Sequence, residues 1–283
     1  MRKVISFPIL FLALLIGACN QPTQEKTGTS DSAMVAADTA LQKHKAALQY
    51  QFFYTIGNLP SPLEAIQTVY NFKLPFNKDL LNPATNASEY TTGFQKSVNY
   101  GIYGVDMAYT AFYGQSTDML NYYSATRDLA KKLGVDKTFD EFTTDFQENS
   151  EYPDSLVPVI DRAFAETRKY LQTNHRLEVA SHVLAGSVIE AQYVCIGLIK
   201  NLAQTNENGK LFDFVLHQHK DLKDMIDLFA ELKSIPSSVK LLSDLEFLQK
   251  SFSTLNMRAD LTTANLEKLF SDVAKVRNEI IKI

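Results

Sequence analysis

The sequence predicts an all-α protein, a single domain of about eight or nine antiparallel helices without a β-sheet. Apolar residues recur at spacings of three and four along most of the chain, and no segment shows the strict alternation of a half-buried strand. The helical segments are joined by connections of roughly two to eight residues, which favour antiparallel neighbours.

Capping residues and glycines set the boundaries of these helices. Residues 61–64, Ser-Pro-Leu-Glu, form a capping box with proline in the first turn, and residues 138–141, Thr-Phe-Asp-Glu, form a second. Gly114 and Gly134 each follow a long helical pattern and are expected to end it. Residues 54–60 are predicted to be extended, and 73–87 to be a loop with one helical turn at 78–81. Helical patterns cover ten ranges, slightly more than the eight or nine helices expected of the domain: 36–53, 62–71, 88–113, 116–133, 138–148, 153–173, 177–203, 210–233, 236–255 and 263–281.

The N-terminus has the features of a secretion signal. Arg2 and Lys3 precede the apolar run 4–16, which has about thirteen residues and is shorter than the roughly 20 that a bilayer-spanning helix needs. The run ends in Ile-Gly-Ala-Cys at residues 16–19, which resembles the lipobox of bacterial lipoproteins. An ordinary cleaved signal followed by a chance cysteine is the alternative.

The lipobox resemblance implies an address for the protein. It implies that residues 1–18 are a signal peptide and that Cys19 becomes the lipid attachment residue, carrying acyl chains such as palmitate. Several acyl chains hold a protein firmly at a membrane. Asn20, in place of aspartate, indicates the outer rather than the inner membrane by the family's sorting rule. Residues 19–33 lack large apolar side chains and are predicted to be a flexible tether, followed by the globular domain at 34–283.

Two helices stand out because they carry stripes of small residues. Within a helix each glycine costs about 1 kcal/mol relative to alanine, so two on one face need a reason, and close approach of another helix is the usual one. We therefore expect the two helices to pack with their small faces together. The stripe in 88–113 consists of Ser97, Gly101, Gly104, Ala108 and Ala111, and the stripe in 177–203 consists of Ser187, Ala191 and Cys195.

The same two helices carry the candidate ligand-binding residues Tyr103, Asp106, His182 and Glu190. They offer an acid, a base and a hydroxyl that could meet in one pocket, but polar residues that only fix helix register are the more common case. A buried carboxylate such as Asp106 must in either case find donors. Tyr122, Tyr123 and the aromatic cluster at 50–54 depart from helical spacing and could line an exposed groove.

Other chemistry is not indicated. The chain contains none of the motifs of serine hydrolases, zinc proteases, P-loop proteins or dithiol redox proteins, so no catalytic residue, cofactor or metal site is predicted. Asp213, His217 and Asp221 lie at four-residue spacing, which is better interpreted as a solvated helix face than as a metal site. Cys195 is predicted to be a buried small hydrophobe. A net charge of −4 without a basic stripe argues against a nucleic-acid partner.

Four segments resemble an uncharacterised family of helical lipoproteins from the Bacteroidota: residues 60–64, 79–83, 103–109 and 184–190. The resemblance implies a cell-envelope address and a helical fold, and it implies no activity. We therefore expect a non-enzymatic binding or scaffolding lipoprotein, held at the membrane by its lipid, with an envelope protein or a small molecule as its partner. The alternative is an envelope enzyme or small-ligand sensor that uses a polar pocket around Asp106, His182 and Glu190.

Overall fold

The computed structural model describes residues 29–58 and 61–283, and the described residues form α-helices and short 3-10 turns without any strand. The all-α prediction is confirmed for this part of the chain. Single 3-10 turns lie at Lys78–Leu80, Ala84–Ser88 and Arg258–Asp260. The α-helices are α1 (Thr29–Asn58), α2 (Pro62–Asn71), α3 (Gly93–Phe112), α4 (Ser116–Leu133), α5 (Asp136–Asp140), α6 (Thr143–Asn149), α7 (Pro153–Thr173), α8 (Leu177–Ile199), α9 (Gly209–Ala230), α10 (Pro236–Phe252) and α11 (Thr263–Ile280).

The described residues contain eleven α-helices rather than eight or nine, in part because the predicted helix 138–148 is divided into α5 and α6. The predicted capping box at 138–141 is wrong, since Thr138 lies inside α5. An aromatic cluster lies across the break between the two helices. The rings of Phe139 and Phe146 both pack on Tyr123, with centroids 5.3 and 4.1 Å away. The antiparallel arrangement of neighbouring helices stays a prediction.

Helix boundaries differ from the predictions at two other places. Helix α1 continues through residues 54–58, which were predicted to be extended. Helix α3 begins at Gly93 instead of residue 88, because Thr92 and Gln95 form a capping box there. The Gln95 amide donates to the Thr92 hydroxyl over 3.1 Å, and the Thr92 amide donates to the Gln95 side chain over 3.2 Å.

Helix α1 starts at Thr29, so the last five residues of the predicted tether 19–33 are helical. The signal peptide, Cys19 and the rest of the tether lie outside the described residues. The chain forms two units, one up to Gln42 and the other spanning Lys43–Ile283. The described residues 34–42 of the first unit are solvent-exposed. The second unit contains the hydrophobic core, whose residues run from Phe52 to Ile280.

Helices α3 and α8 form the centre of this core and approach each other closely. A Cβ atom on Gly101 would collide with the carbonyl oxygen of Val183, and one on Gly186 would collide with that of Val98. The Ser187 hydroxyl donates to the Gly101 carbonyl over 3.2 Å. The predicted packing of the two small faces is therefore confirmed at Gly101 and Ser187, whereas Gly104 of the same stripe lies against the Phe164 ring of α7.

Helix α8 also has the length and apolar composition of a membrane-spanning helix, and within the described ranges it is the one helix that passes this test. Its most apolar stretch is 89% buried inside the protein. This burial is what a core helix shows.

Candidate functional site

A buried ion pair between α8 and α11 forms the centre of the candidate site. Arg277 donates through Nε to Glu190 Oε2 over 2.8 Å and through Nη2 to Glu190 Oε1 over 2.7 Å. The side chains of Arg277 and Glu190 are 5% and 0% exposed. The guanidinium also lies 4.6 Å from the centre of the Tyr193 ring. Such a bidentate ion pair fixes the orientation of both side chains and also neutralises their charges.

Asp106 of α3 lies beside this pair and is fully buried. Burial first, and then the negative charge of Glu190, raise the pKa of the Asp106 carboxyl well above its ordinary value, although Arg277 acts in the opposite direction. Asp106 Oδ2 accepts a hydrogen bond from the Asn82 amide over 3.2 Å. Oδ1 has no hydrogen-bonding partner among the described residues. With Asp106 protonated, the three side chains carry one carboxylate and one guanidinium and are neutral together.

We call residues 77–90 the covering segment, because its backbone and its Asn82 side chain hydrogen-bond the helices around this cluster. The Asn82 side chain donates to the Tyr90 hydroxyl over 3.0 Å and to Asn99 Oδ1 over 3.1 Å. Asn82 is itself fully buried. It therefore joins the covering segment to α3 in addition to its backbone bond with Asp106.

Two backbone carbonyls of the covering segment also accept bonds from the cluster and its surroundings. Arg277 donates through Nη2 to the Leu80 carbonyl over 3.2 Å. The Tyr103 hydroxyl donates to the Pro83 carbonyl over 2.9 Å. The covering segment is thus held by side chains from both α3 and α11, and the cluster beneath it is closed to solvent.

His182 lies in a different environment. Its Nε2 is 2.9 Å from the Ser238 hydroxyl and its Nδ1 is 3.5 Å from the Ser97 hydroxyl. Its ring lies edge-to-face with Phe94 and stacks on Phe229, at centroid distances of 5.0 and 5.9 Å. Burial lowers the pKa of His182 to about 4, so the imidazole is neutral at physiological pH. The structure therefore brings Tyr103, Asp106 and Glu190 together and places His182 apart from them.

Two residues of the cluster were missed by the sequence reasoning. Arg277 lies four residues after Val273 and three before Ile280, both of which are buried on the core face of α11. A cation at that spacing could have indicated a buried ion pair. Asn82 follows two leucines in an irregular segment, where no helical spacing indicates which side chains are buried.

A groove of about 700 Å³ lies between the covering segment and α4. Tyr122 lines it, and the centroid of the Tyr122 ring is 5.8 Å from that of Tyr103. At the rim, Lys78 and Asp118 form an ion pair of 2.6 Å. The other side chains around the groove are Leu81, Pro83, Ala84, Thr85, Ala87, Ser88, Asn121, Ser124, Ala125 and Asp128.

The aromatic residues predicted to line an exposed groove do not act together. Tyr122 lines the groove, but Tyr123 donates to or accepts from the Thr143 hydroxyl at 2.9 Å and packs on α5 and α6. Tyr50 and Tyr54 stack on each other at 6.3 Å on α1.

Metal binding has no visible basis in the part of the chain that the structure describes, where no three His, Cys, Asp or Glu side chains are grouped closely enough. Asp213 pairs with Arg258 at 2.7 Å, and His217 Nδ1 lies 2.7 Å from the Asp213 carbonyl. Cys195 is buried, and burial raises the pKa of its thiol.

The chain matches no family model, and neither a curated protein nor a solved structure is significantly similar to it. Inference about its function therefore depends on its residues and on their arrangement.

Proposed function

We propose that this protein is a lipid-anchored component of the cell envelope that binds a protein or a small molecule without transforming it. The anchor is supported by the charged start, the short apolar run 4–16 and the lipobox-like residues 16–19. Cys19 is the proposed attachment residue, and Asn20 favours the outer membrane.

One observation favours binding over catalysis: the polar cluster is closed, whereas the groove is open. A general acid or base must come within hydrogen-bonding reach of its substrate. Asp106 and Glu190 are fully buried beneath the covering segment. The groove beside them offers hydroxyl, amide and carboxylate groups to a ligand without any rearrangement.

One observation supports the alternative that the protein is an enzyme or a small-ligand sensor. The pKa of Asp106 is strongly raised in a carboxyl pair, and such perturbed groups are frequent at functional sites. In this alternative the covering segment opens to admit a ligand to Asp106 and Glu190. An Asp106→Asn variant that loses binding or activity while retaining its fold would support the alternative.

The anchor is tested by growing cells that express the full chain with an alkyne-bearing palmitate analogue. The Cys19→Ser variant is expected to lose the label and to leave the membrane fraction. Cys195→Ser is the control and should retain the label, because Cys195 is buried in the core. Undiminished labelling of Cys19→Ser refutes the anchor.

The binding role is tested by placing a photo-crosslinking residue at Asn121, an exposed position on the groove. Tyr170 is the control position, since its side chain is 40% exposed on α7 and does not line the groove. Mass spectrometry of native envelopes should find adducts at position 121 that are missing at position 170. Equal adducts at both positions contradict a binding role for the groove.

A further inference from the structure

The Tyr122 hydroxyl makes no hydrogen bond within the described part of the chain. Tyr122 is only 4% exposed and lines the groove, yet no hydrogen bond joins its hydroxyl to any residue that the structure describes. The Tyr122 oxygen is not one of the described side-chain atoms that are both shut off from solvent and without a partner, so the ring is buried while its hydroxyl is open to the groove.

Other tyrosines of the same core behave differently. Four of them have hydroxyls that bond within the protein: Tyr90 to Ile281, Tyr100 to Thr167, Tyr103 to Pro83 and Tyr109 to Asn77. Tyr122 differs from these in that it lines the groove. Its hydroxyl is therefore available to a molecule that enters the groove.

The size of the groove indicates a small molecule. Its volume of about 700 Å³ lies within the usual range of small-molecule sites. The apolar surfaces of Leu81, Pro83, Ala87 and Ala125 alternate with the polar groups of Asn121 and the rim. A ligand with both an apolar face and many hydrogen-bonding groups fits such a lining.

The charges around the groove select against ionic ligands. Lys78 is neutralised by Asp118, which leaves Asp128 as the charge without an ion-pair partner among the described lining residues. Lys132, one turn after Asp128 on α4, donates through Nζ to the Ala87 and Ser88 carbonyls of the lining over 2.9 and 3.4 Å. The groove and this lysine together carry no net formal charge, so neither an anion nor a cation meets an excess of opposite charge there. Carboxylate oxygens accept hydrogen bonds well from neutral hydroxyl groups.

We propose that the groove between the covering segment and α4 binds an uncharged saccharide of one or two rings. Hydroxyl groups of the sugar bond to Tyr122, Asp118 and Asn121, and its apolar face lies against Leu81 and Pro83. This inference rests on the proposed binding function and is independent of the lipid anchor.

The test is saturation-transfer NMR and calorimetry on the full chain in detergent. The probes are glucose, galactose, mannose, N-acetylglucosamine, maltose and cellobiose, with glucuronate and glucosamine as charged comparisons. At least one neutral sugar is expected to bind more tightly than both charged ones. Tyr122→Phe should weaken the binding of that sugar about tenfold, which is the loss expected for one hydrogen bond. Tyr123→Phe is the matched control and should leave the affinity unchanged, because Tyr123 bonds to Thr143 instead of lining the groove.

Three results overturn the proposal: no binding of any neutral sugar by folded protein, equal or tighter binding of a charged sugar, or unchanged affinity in Tyr122→Phe. Far-UV circular dichroism confirms that each variant is folded. If the saccharide proposal fails while a crosslinker at position 121 still captures a specific adduct, the binding function survives without it. If neither probe gives a signal, both fail.

Discussion

Replacing Arg277 with methionine is expected to destabilise the protein strongly, because Glu190 then loses its counter-charge in a setting closed to water. Breaking a buried ion pair by removing one partner typically costs about 3–5 kcal/mol. Methionine retains much of the apolar volume of the arginine stem, so the loss reports on charge more than on packing.

The magnitude follows from the chemistry of the charge left behind. The orphaned Glu190 carboxylate can avoid burial of its charge by taking up a proton. At pH 7 this costs about 3.7 kcal/mol for a carboxyl with an ordinary pKa near 4.3, at about 1.4 kcal/mol per pH unit. The same rule predicts a cost of only about 1 kcal/mol at pH 5. The penalty of Arg277→Met should therefore grow as the pH rises, since the folded variant holds a proton that the unfolded chain releases.

The assay is urea denaturation between pH 5 and pH 8, followed by far-UV circular dichroism because the chain contains no tryptophan. Adding Glu190→Gln to Arg277→Met should recover much of the lost stability and remove its pH dependence. Arg258→Met is the matched control, since Arg258 also contacts a carboxylate through two nitrogens but on the exposed surface. A loss in Arg277→Met no larger than in Arg258→Met, or one independent of pH, would refute the reasoning.

Three further predictions concern the buried polar groups and the helix contact. Asp106→Asn should change the free energy of unfolding by less than about 1 kcal/mol near pH 4, where a neutral amide replaces a largely neutral acid. As the pH rises to 7 the variant should become more stable than the parent, because only the unfolded parent releases a proton. His182, whose folded pKa is lowered to about 4, should cost the parent about 3 kcal/mol as the pH falls from 6.5 to 4, and His182→Gln should not show this loss. Gly101→Ala should destabilise by about 3 kcal/mol or more, whereas Gly93→Ala, whose added Cβ meets no atom, should not.

Urea denaturation over pH 4–8 measures the first two effects, and thermal unfolding at pH 7 measures the third. A loss of several kcal/mol in Asp106→Asn at pH 7 would mean that Asp106 is ionised. If His182→Gln still loses the same free energy of unfolding as the pH falls, that loss belongs to other groups. Equal melting temperatures for the Gly101 and Gly93 variants would contradict the close α3–α8 approach.

The pairing of α3 with α8 was predictable because glycine in a helix carries a local signature. The costs at Gly101 and Gly186 are visible in the sequence, and the close helix approach that offsets them is what such costs indicate. The separation of His182 from Glu190 was also within reach. Eight residues of helix correspond to a rise of about 12 Å and a rotation of roughly 80° between the two side chains.

The counter-charge of Glu190 was harder to predict. Arg277 is 87 residues away along the chain, and no local pattern connects the two helices. The ring cluster at the break between α5 and α6 is of the same kind, since Phe139 and Phe146 there contact Tyr123 of α4. Local patterns predict which faces are buried, and they leave open which distant residue completes a buried charge or a ring cluster.

The position of Arg277 in the last described helix has a consequence for biosynthesis. Translation proceeds from the N-terminus, so Asp106 and Glu190 emerge well before the guanidinium that balances them. Until α11 follows, an early intermediate with α3 and α8 paired must keep both carboxyls protonated or hydrated. The covering segment likewise lacks the bond from Arg277 to Leu80 until then. Completion of the groove wall therefore waits until α11 has been synthesised.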